Sequence, residues 1–171
     1  MSPTAPRANS LLEHETLLST SGHNGRILGI GCDLVDLPTL RRQLDSPIGP
    51  RFLVNVLTSA ERSHCQGSLV HVAQHWALKE AIAKAVGHGW VDFSPREIDL
   101  TFCPLPAEAT STHRWSVAST DDRAWPDEAH LWTWHLTTSL SEGWALATAL
   151  AVDLDHPLVY LTAPTHERSK P

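Results

Sequence analysis

Apolar and polar positions divide the first half of the chain into one strand and several helices. The apolar run RILGIGCDLVDL contains two glycines and predicts a buried strand over about Ile27 to Val35. PTLRRQLD and RFLVNVL predict short helices, and Thr58 and Glu61 have the spacing of a capping box at the start of another helix. Apolar residues dominate LVHVAQHWALKEAIAKAV, which predicts a long helix from about Leu69 to Val86 that ends at Gly87.

The second half of the chain shows the shorter period that is typical of strands. REIDLTF (residues 96–102) and RWSVAS predict two strands on either side of a proline-rich loop. HLWTWHLTTSL and WALATALAVDL are joined by the tight connection SEG, and the second segment alternates regularly from Trp144 to Leu154. These two segments therefore predict an antiparallel hairpin. A strand followed by helices and then mainly by strands indicates the α+β class.

Composition indicates one globular domain with loose ends. The 171 residues are 42% hydrophobic and 19% charged, which is enough apolar material for a core. We expect a flexible N-terminal arm over residues 1–25, a single domain over 26–155 and a peripheral C-terminal tail over 156–171.

Charge and cysteine content exclude several classes of protein. The formal net charge of −6 argues against a nucleic-acid partner, which usually requires a basic face. No apolar run approaches the ~20 residues of a membrane span, so no membrane role is expected. The three cysteines are odd in number and widely spaced, which argues against a disulfide framework or a zinc ribbon and favours a cytoplasmic protein.

The candidate chemistry lies on the first strand and the long helix. Asp33 stands in an apolar strand, where an isolated carboxylate is costly and requires a partner. Trp76, Glu80 and Lys84 follow one another at four-residue spacing and share one stripe of the helix. Asp33 and Glu80 could form a Mg²⁺ site, with Lys84 neutralising a phosphate. The simpler alternative is a solvated Glu80–Lys84 pair on the helix surface.

Three segments carry a resemblance to a known family. GIGCDLVDL, FLVNVLTSAE and HWALKEAIAKAVGHG occur in this order, and the last is the most specific. Together they resemble the motifs of the holo-acyl-carrier-protein synthase family of phosphopantetheinyl transferases. The resemblance covers roughly Leu28 to Ile98 and, more loosely, His135 to Leu154. It implies an α+β phosphopantetheinyl transferase fold, with an antiparallel sheet packed on a long helix and a homotrimeric assembly.

The resemblance also implies a reaction and roles for individual residues. A serine hydroxyl of an acyl carrier protein, or of a carrier domain in a fatty-acid or polyketide synthase, attacks coenzyme A and receives its 4′-phosphopantetheine arm. Asp33 and Glu80 would hold Mg²⁺, and Glu80, directly or through a metal-bound water, would help to deprotonate the serine. Asp33, Glu80 and Lys84 are thus the expected catalytic residues. Lys84, Lys79 and His75 are expected to hold coenzyme A, and Arg41 and Arg42 would meet the acidic carrier.

The sequence departs from the family pattern at four places. His75 stands where the family has arginine, Asn55 stands in place of a second arginine, a G-x-P signature is missing, and SLSE replaces a segment that ends in histidine. These departures concern the nucleotide pocket, and they leave open a catalytically degenerate homologue that binds coenzyme A or a carrier. A structural scaffold is a further alternative. His71 and His75 have a spacing that would also suit zinc.

Overall fold

A three-stranded antiparallel sheet forms one layer of the molecule. The computed structural model describes residues 25–91, 93–104, 113–120 and 125–157. The sheet contains β1 (Gly25–Asp36), β4 (Thr133–Ser141) and β5 (Trp144–Pro157) in the order β1-β5-β4. The predicted hairpin is β4 and β5, and the predicted first strand is β1. β1 pairs with β5, the second strand of the hairpin, and Asp33 lies opposite Ala147.

Four helices connect β1 to the rest of the fold. They are α1 (Leu37–Leu44), α2 (Gly49–Val56), α3 (Ser59–Cys65) and α4 (Leu69–Val86). Asp36 caps α1, because its carboxylate accepts a hydrogen bond from the Thr39 amide. The predicted capping box of Thr58 and Glu61 begins α3. Gly87 ends α4 with a φ of 88°, as predicted, because a left-handed conformation costs glycine little.

A second, two-stranded sheet packs beside the helices. It consists of β2 (Ile98–Pro104) and β3 (His113–Ser119). The predicted strand was to begin at Arg96, but Pro95–Glu97 forms a 3₁₀ turn in which Glu97 accepts a hydrogen bond from the Ser94 amide. Likewise, the first strand of the hairpin begins only at Thr133, because Pro126–Leu131 forms a 3₁₀ helix. In both cases a proline at the start of the segment favours a helical turn over an extended chain.

Small residues allow α4 to lie close against the sheet. On β5, every second residue from Ala145 to Ala151 is a buried alanine. On β1, a Cβ added to Gly29 would lie 1.9 Å from the Ala85 carbonyl oxygen, and one added to Gly31 would lie 2.0 Å from that of Ala81. The strand and helix backbones are therefore in direct contact, and only glycine fits at those two positions of β1. The α+β class is confirmed.

The predicted domain limits meet the described residues only in part. The arm over residues 1–25 and the tail over 156–171 fall almost entirely outside the described residues, and the limits of 26–155 remain predictions. Within the described part of the chain, no helix is both long and apolar enough to cross a membrane.

Candidate functional site

A cavity of about 240 Å³ lies where β1, α1 and α4 meet. Its polar groups come from both the strand and the helices. Asp33 and Glu80, the two acids that the sequence singled out, both line it. The remaining lining residues are Leu34, Val35, Asp36, Thr39, Leu40, Gln43 and Trp76. Two residues far apart in sequence are thus brought to one concave site, the usual form of a ligand pocket.

Asp33 reaches this pocket because of the glycines that precede it. Gly29, Gly31 and Asp33 lie on the same face of β1, since alternate residues of a strand point to the same side. The two glycines hold that face against α4. Asp33, which is only 17% exposed, therefore lies beside the last two turns of the helix.

Lys84 is the charged partner of the partly buried Asp33. Its Nζ donates a hydrogen bond to Asp33 Oδ1 at 2.7 Å and another to the Cys32 carbonyl oxygen at 3.1 Å. The hydrogen bond that Lys84 donates to Asp33 raises the pKa of Lys84, partial burial opposes this, and the negative charges of Asp33 and Glu80 raise the pKa further. Lys84 is half exposed, so its ammonium remains accessible to an anion. The simpler alternative of a Glu80–Lys84 surface pair is not the arrangement found, because the ion pair of Lys84 is with the strand.

Glu80 is held by an indole rather than by a cation. Trp90 Nε1 donates a hydrogen bond to Glu80 Oε1 at 2.9 Å. The Trp90 ring stacks on Trp76, with ring centroids 6.3 Å apart and an interplanar angle of 12°. Trp76 itself lines the pocket, one helical turn before Glu80. The Glu80 carboxylate thus lies beside the stacked rings of Trp76 and Trp90.

The donor set fits a magnesium ion better than a transition metal. No group of three or more histidine, cysteine or carboxylate side chains in the described ranges could hold a metal by itself. Mg²⁺ does not require one, since it is commonly bound by one or two carboxylates together with waters and substrate phosphates. The bonds to Lys84 and Trp90 use one oxygen each and do not involve Asp33 Oδ2 or Glu80 Oε2. The roles of Asp33 and Glu80 as metal ligands remain predictions.

Lys79, which follows the same helix, lies away from the pocket. Its Nζ contacts Glu61 Oε2 at 2.7 Å and donates to the carbonyl oxygens of Pro95 at 2.7 Å and Ile98 at 2.8 Å. The side chain has no exposed surface. Its three donors are satisfied within the protein, so none is available to a ligand in this conformation. Its predicted contact with coenzyme A remains a prediction that this geometry does not support.

His75 is also buried, on the face of α4 that meets α3 and β3. Its Nδ1 lies 2.7 Å from the His71 carbonyl oxygen, and its ring meets Trp115 edge to face at 5.0 Å. Burial lowers the pKa of His75 to about 4, so the ring is neutral near pH 7. It does not line the pocket, and its predicted contact with coenzyme A likewise remains a prediction. The zinc alternative with His71 finds no third ligand among the described residues.

The structure adds site residues that the sequence did not single out. Asp36 at the end of β1 and Thr39 and Gln43 on α1 line the pocket. Asp36 could have been anticipated, because an acid three residues before a threonine at a helix start is typical of an N-cap. Trp90 carries no comparable signal, since it lies beyond the end of α4 and reaches Glu80 only through the fold.

Comparison with known proteins gives a family for this arrangement. The profile of the 4′-phosphopantetheinyl transferase superfamily matches residues 29–149. The holo-[acyl-carrier-protein] synthase of Beutenbergia cavernae is 34% identical over 126 residues, which are 73% of this chain and 97% of that protein. That of Gloeobacter violaceus is 39% identical over 75 residues, which are 42% of this chain and 56% of that protein.

A solved structure agrees with these sequence relatives. The holo-(acyl-carrier-protein) synthase of Bacillus anthracis, crystallised in complex with CoA (3′,5′-ADP), superposes with a TM-score of 0.56 at 25% identity. The match covers 74% of this chain and 97% of that one. The residues that the family profile matches include most of β1, all of α4 and the start of β5. The chain therefore belongs to the 4′-phosphopantetheinyl transferase superfamily.

Proposed function

We propose that the protein is a holo-[acyl-carrier-protein] synthase. It transfers 4′-phosphopantetheine from coenzyme A to a serine of an apo acyl carrier protein or carrier domain and releases adenosine 3′,5′-bisphosphate. The observation that carries the proposal is the meeting of Asp33 and Glu80 in one pocket, with Lys84 beside Asp33. The family and its full-length relatives support the same activity.

The chemistry requires charge neutralisation and positioning rather than a covalent protein nucleophile. The serine oxygen attacks the β-phosphorus of coenzyme A, the bond from that phosphorus to the leaving 3′,5′-ADP oxygen breaks, and the serine proton is released. Glu80 lies in the pocket and can accept that proton, because its carboxylate is held by a neutral donor rather than by a cation. Lys84 can turn from Asp33 to a phosphate, since its side chain is half exposed.

Asp33 and Glu80 would hold Mg²⁺ through their second carboxylate oxygens. When bound, the ion would neutralise charge on the pyrophosphate of coenzyme A. If Lys84 turned toward a phosphate, Asp33 would lose its positively charged partner. A divalent cation bound to Asp33 would replace that positive charge. The two carboxylates and the lysine are therefore complementary to a magnesium–pyrophosphate group.

The carrier would dock beside the pocket on α1. Arg41 and Arg42 are exposed on this helix, next to the pocket residues Thr39 and Gln43. Basic side chains at that rim would steer an acidic carrier even though the whole chain is acidic. The carrier is a discrete protein or a domain of a fatty-acid or polyketide synthase. This reaction would place the enzyme in fatty acid biosynthesis in the cytoplasm.

The protein would act as a homotrimer assembled through its sheet. The face of β1 and β5 that is turned away from α4 carries exposed apolar side chains, which we term the outer sheet face: Ile30, Leu34, Trp144 and Leu146. Leu34 and Leu146 lie opposite each other across the two strands. A contiguous apolar patch of this kind is unusual on a monomer and indicates a protein interface. Copies of the same chain are the proposed occupants.

A transfer assay tests the proposal directly. The protein is incubated with coenzyme A, Mg²⁺ and an apo acyl carrier protein, and mass spectrometry follows the added phosphopantetheine. We expect transfer by the wild-type protein, dependence on Mg²⁺, and loss of at least ~100-fold in rate for Glu80→Gln, since a metal ligand and base is removed. Ser63→Ala, an exposed substitution on α3, is the matched control and is expected to keep the wild-type rate.

The assay also separates the enzyme from its alternative. A protein that binds coenzyme A or carrier but transfers nothing to several apo carriers would be the catalytically degenerate homologue. A Glu80→Gln protein that keeps the full rate would contradict the assignment of Glu80.

A further inference from the structure

Trp90 donates a hydrogen bond to the side-chain carboxylate of Glu80. The bond joins Trp90 Nε1 to Glu80 Oε1 at 2.9 Å. We propose that Trp90 is a positioning residue: its indole N–H fixes the orientation of the Glu80 carboxylate and leaves Oε2 for the metal or the serine proton. The proposal rests on the proposed function, and it adds a residue that neither the motifs nor the comparisons assign.

The chain after α4 is shaped to bring the indole back to Glu80. Gly87 has a φ of 88° and Gly89 a φ of 60°, both in the left-handed region. Two such residues within three positions reverse the direction of the chain, which other residue types do only under strain. The turn places Trp90 beside a residue ten positions earlier in the sequence.

The indole is held in place by aromatic neighbours. Its ring stacks on Trp76, as described above, and lies 5.2 Å from the Phe93 ring, centroid to centroid. Trp76 in turn meets Phe52 edge to face at 5.7 Å. A ring packed on two sides cannot rotate freely, so the direction of its N–H is set by packing. This rigidity distinguishes it from a flexible polar side chain that would follow the carboxylate.

The chemistry of the indole suits a positioning role. The indole nitrogen is a hydrogen-bond donor only, so in its contact with a carboxylate the indole always donates and the carboxylate accepts. The donor is neutral, so it orients Glu80 without the counter-charge that would compete with a metal ion. Partners that orient metal-binding side chains typically contribute 10–100-fold to metal affinity or activity. The plain alternative is that the bond only satisfies a half-buried indole, as for Trp134, whose Nε1 donates to the Ala129 carbonyl oxygen at 3.1 Å.

The experiment compares Trp90→Phe with Trp134→Phe in the full-length protein. Each loses one indole hydrogen bond and keeps an aromatic ring, but only the first contacts Glu80. With coenzyme A present, Mn²⁺ is titrated as a probe of the metal site by electron paramagnetic resonance, and kcat and KM for coenzyme A are measured. We expect Trp90→Phe to bind Mn²⁺ about tenfold more weakly and to lower kcat about tenfold, with KM for coenzyme A within about twofold of wild type. Trp134→Phe is expected to match wild type in all three.

A second substitution guards against a folding defect in Trp90→Phe. Replacing Trp90 by benzothienylalanine keeps the bicyclic shape and exchanges the N–H for sulfur, so the same losses are expected with the stack on Trp76 preserved. Equal Mn²⁺ affinity and kcat in this protein and in wild type would overturn the positioning role. Absence of Mn²⁺ binding to wild type would overturn it as well. Mn²⁺ binding by a wild-type protein that transfers nothing would overturn the proposed function and leave the role of Trp90 at the metal intact.

Discussion

Lys79 Nζ lies 2.7 Å from Oε2 of Glu61, and neither side chain has exposed surface. Glu61 also accepts hydrogen bonds from the amides of Thr58 and Leu100, so it ties the start of α3 and strand β2 to the middle of α4. Burial lowers the pKa of Lys79 and raises that of Glu61, because each charge is withdrawn from water. The residue that directly precedes Glu80 is therefore an internal anchor of the helix that carries the site.

Removing one member of this pair should destabilise the fold strongly. Lys79→Met leaves the Glu61 carboxylate buried without a cation, and we expect the free energy of unfolding to fall by about 3–5 kcal/mol in urea denaturation. Lys84→Met, which breaks the half-exposed pair with Asp33, should cost no more than about 1 kcal/mol. Adding Glu61→Gln to Lys79→Met should restore part of the loss, because the buried charge is removed and an acceptor is kept. Equal costs for the two lysine substitutions would contradict the anchoring role.

The contact of β1 with α4 should not tolerate a methyl group. Gly31→Ala places a Cβ 2.0 Å from the Ala81 carbonyl oxygen, so the strand or the helix must move. We expect a loss of about 3 kcal/mol in stability, together with a lower rate of transfer, because Asp33 is displaced with the strand. Gly67→Ala serves as the control: nothing lies within 4 Å, although its φ of 76° adds some strain. It should lose roughly 1 kcal/mol and keep kcat. A normal Tm and rate for Gly31→Ala would refute the close contact.

His75 should make the protein less stable in mild acid. Its pKa in the folded state is about 4 against 6.5 as a model value, so the unfolded chain binds the additional proton first. The stability that the neutral ring contributes is complete above about pH 6.5 and is lost as the pH falls toward 4. From pH 7.5 to 5.5 the loss should be about 1.4 kcal/mol. Urea denaturation of wild type and of His75→Phe at both pH values measures this loss. The variant should lose about 1.4 kcal/mol less stability than wild type between pH 7.5 and pH 5.5. An equal loss of stability in the two proteins would exclude His75 as the cause.

The outer sheet face should determine the oligomeric state. Leu34→Asp and Leu146→Asp each place a charge in the middle of this apolar surface, where assembly would bury it without a partner. Light scattering coupled to size exclusion should show a trimer for wild type and monomers for both variants. Val91→Asp changes an apolar residue that is 84% exposed and off the sheet, so it should leave the trimer intact. Wild-type protein that elutes as a monomer would contradict the assembly.

Local signals in the sequence predicted much of this fold. α4 was predicted to its last residue, because Gly87 terminates a helix through its own backbone freedom. The capping box at Thr58 and Glu61 is also a matter of neighbouring residues and was confirmed. The starts of β2 and β4 were predicted too early, because Pro95 and Pro126 initiate helical turns in segments whose side chains otherwise suit strands.

The motifs around Asp33 and Glu80 were enough to indicate the family and the pair of acids. The spacing of glycines on a strand and the four-residue spacing on a helix are local features that can be recognised in the sequence. Only the tertiary structure decided how α4 is rotated. Lys79 and Glu80 are adjacent, and the helix is apolar around most of its circumference, so periodicity could not tell which of the two charges faces the core. Glu61 on α3 forms an ion pair with Lys79, whose side chain is therefore buried in the core. Trp90, which follows the turn at Gly87 and Gly89, donates a hydrogen bond to Glu80 at the pocket. Partners from distant parts of the sequence produce no local pattern. Only the fold therefore shows that Lys79 is buried in the core and that its neighbour Glu80 faces the pocket.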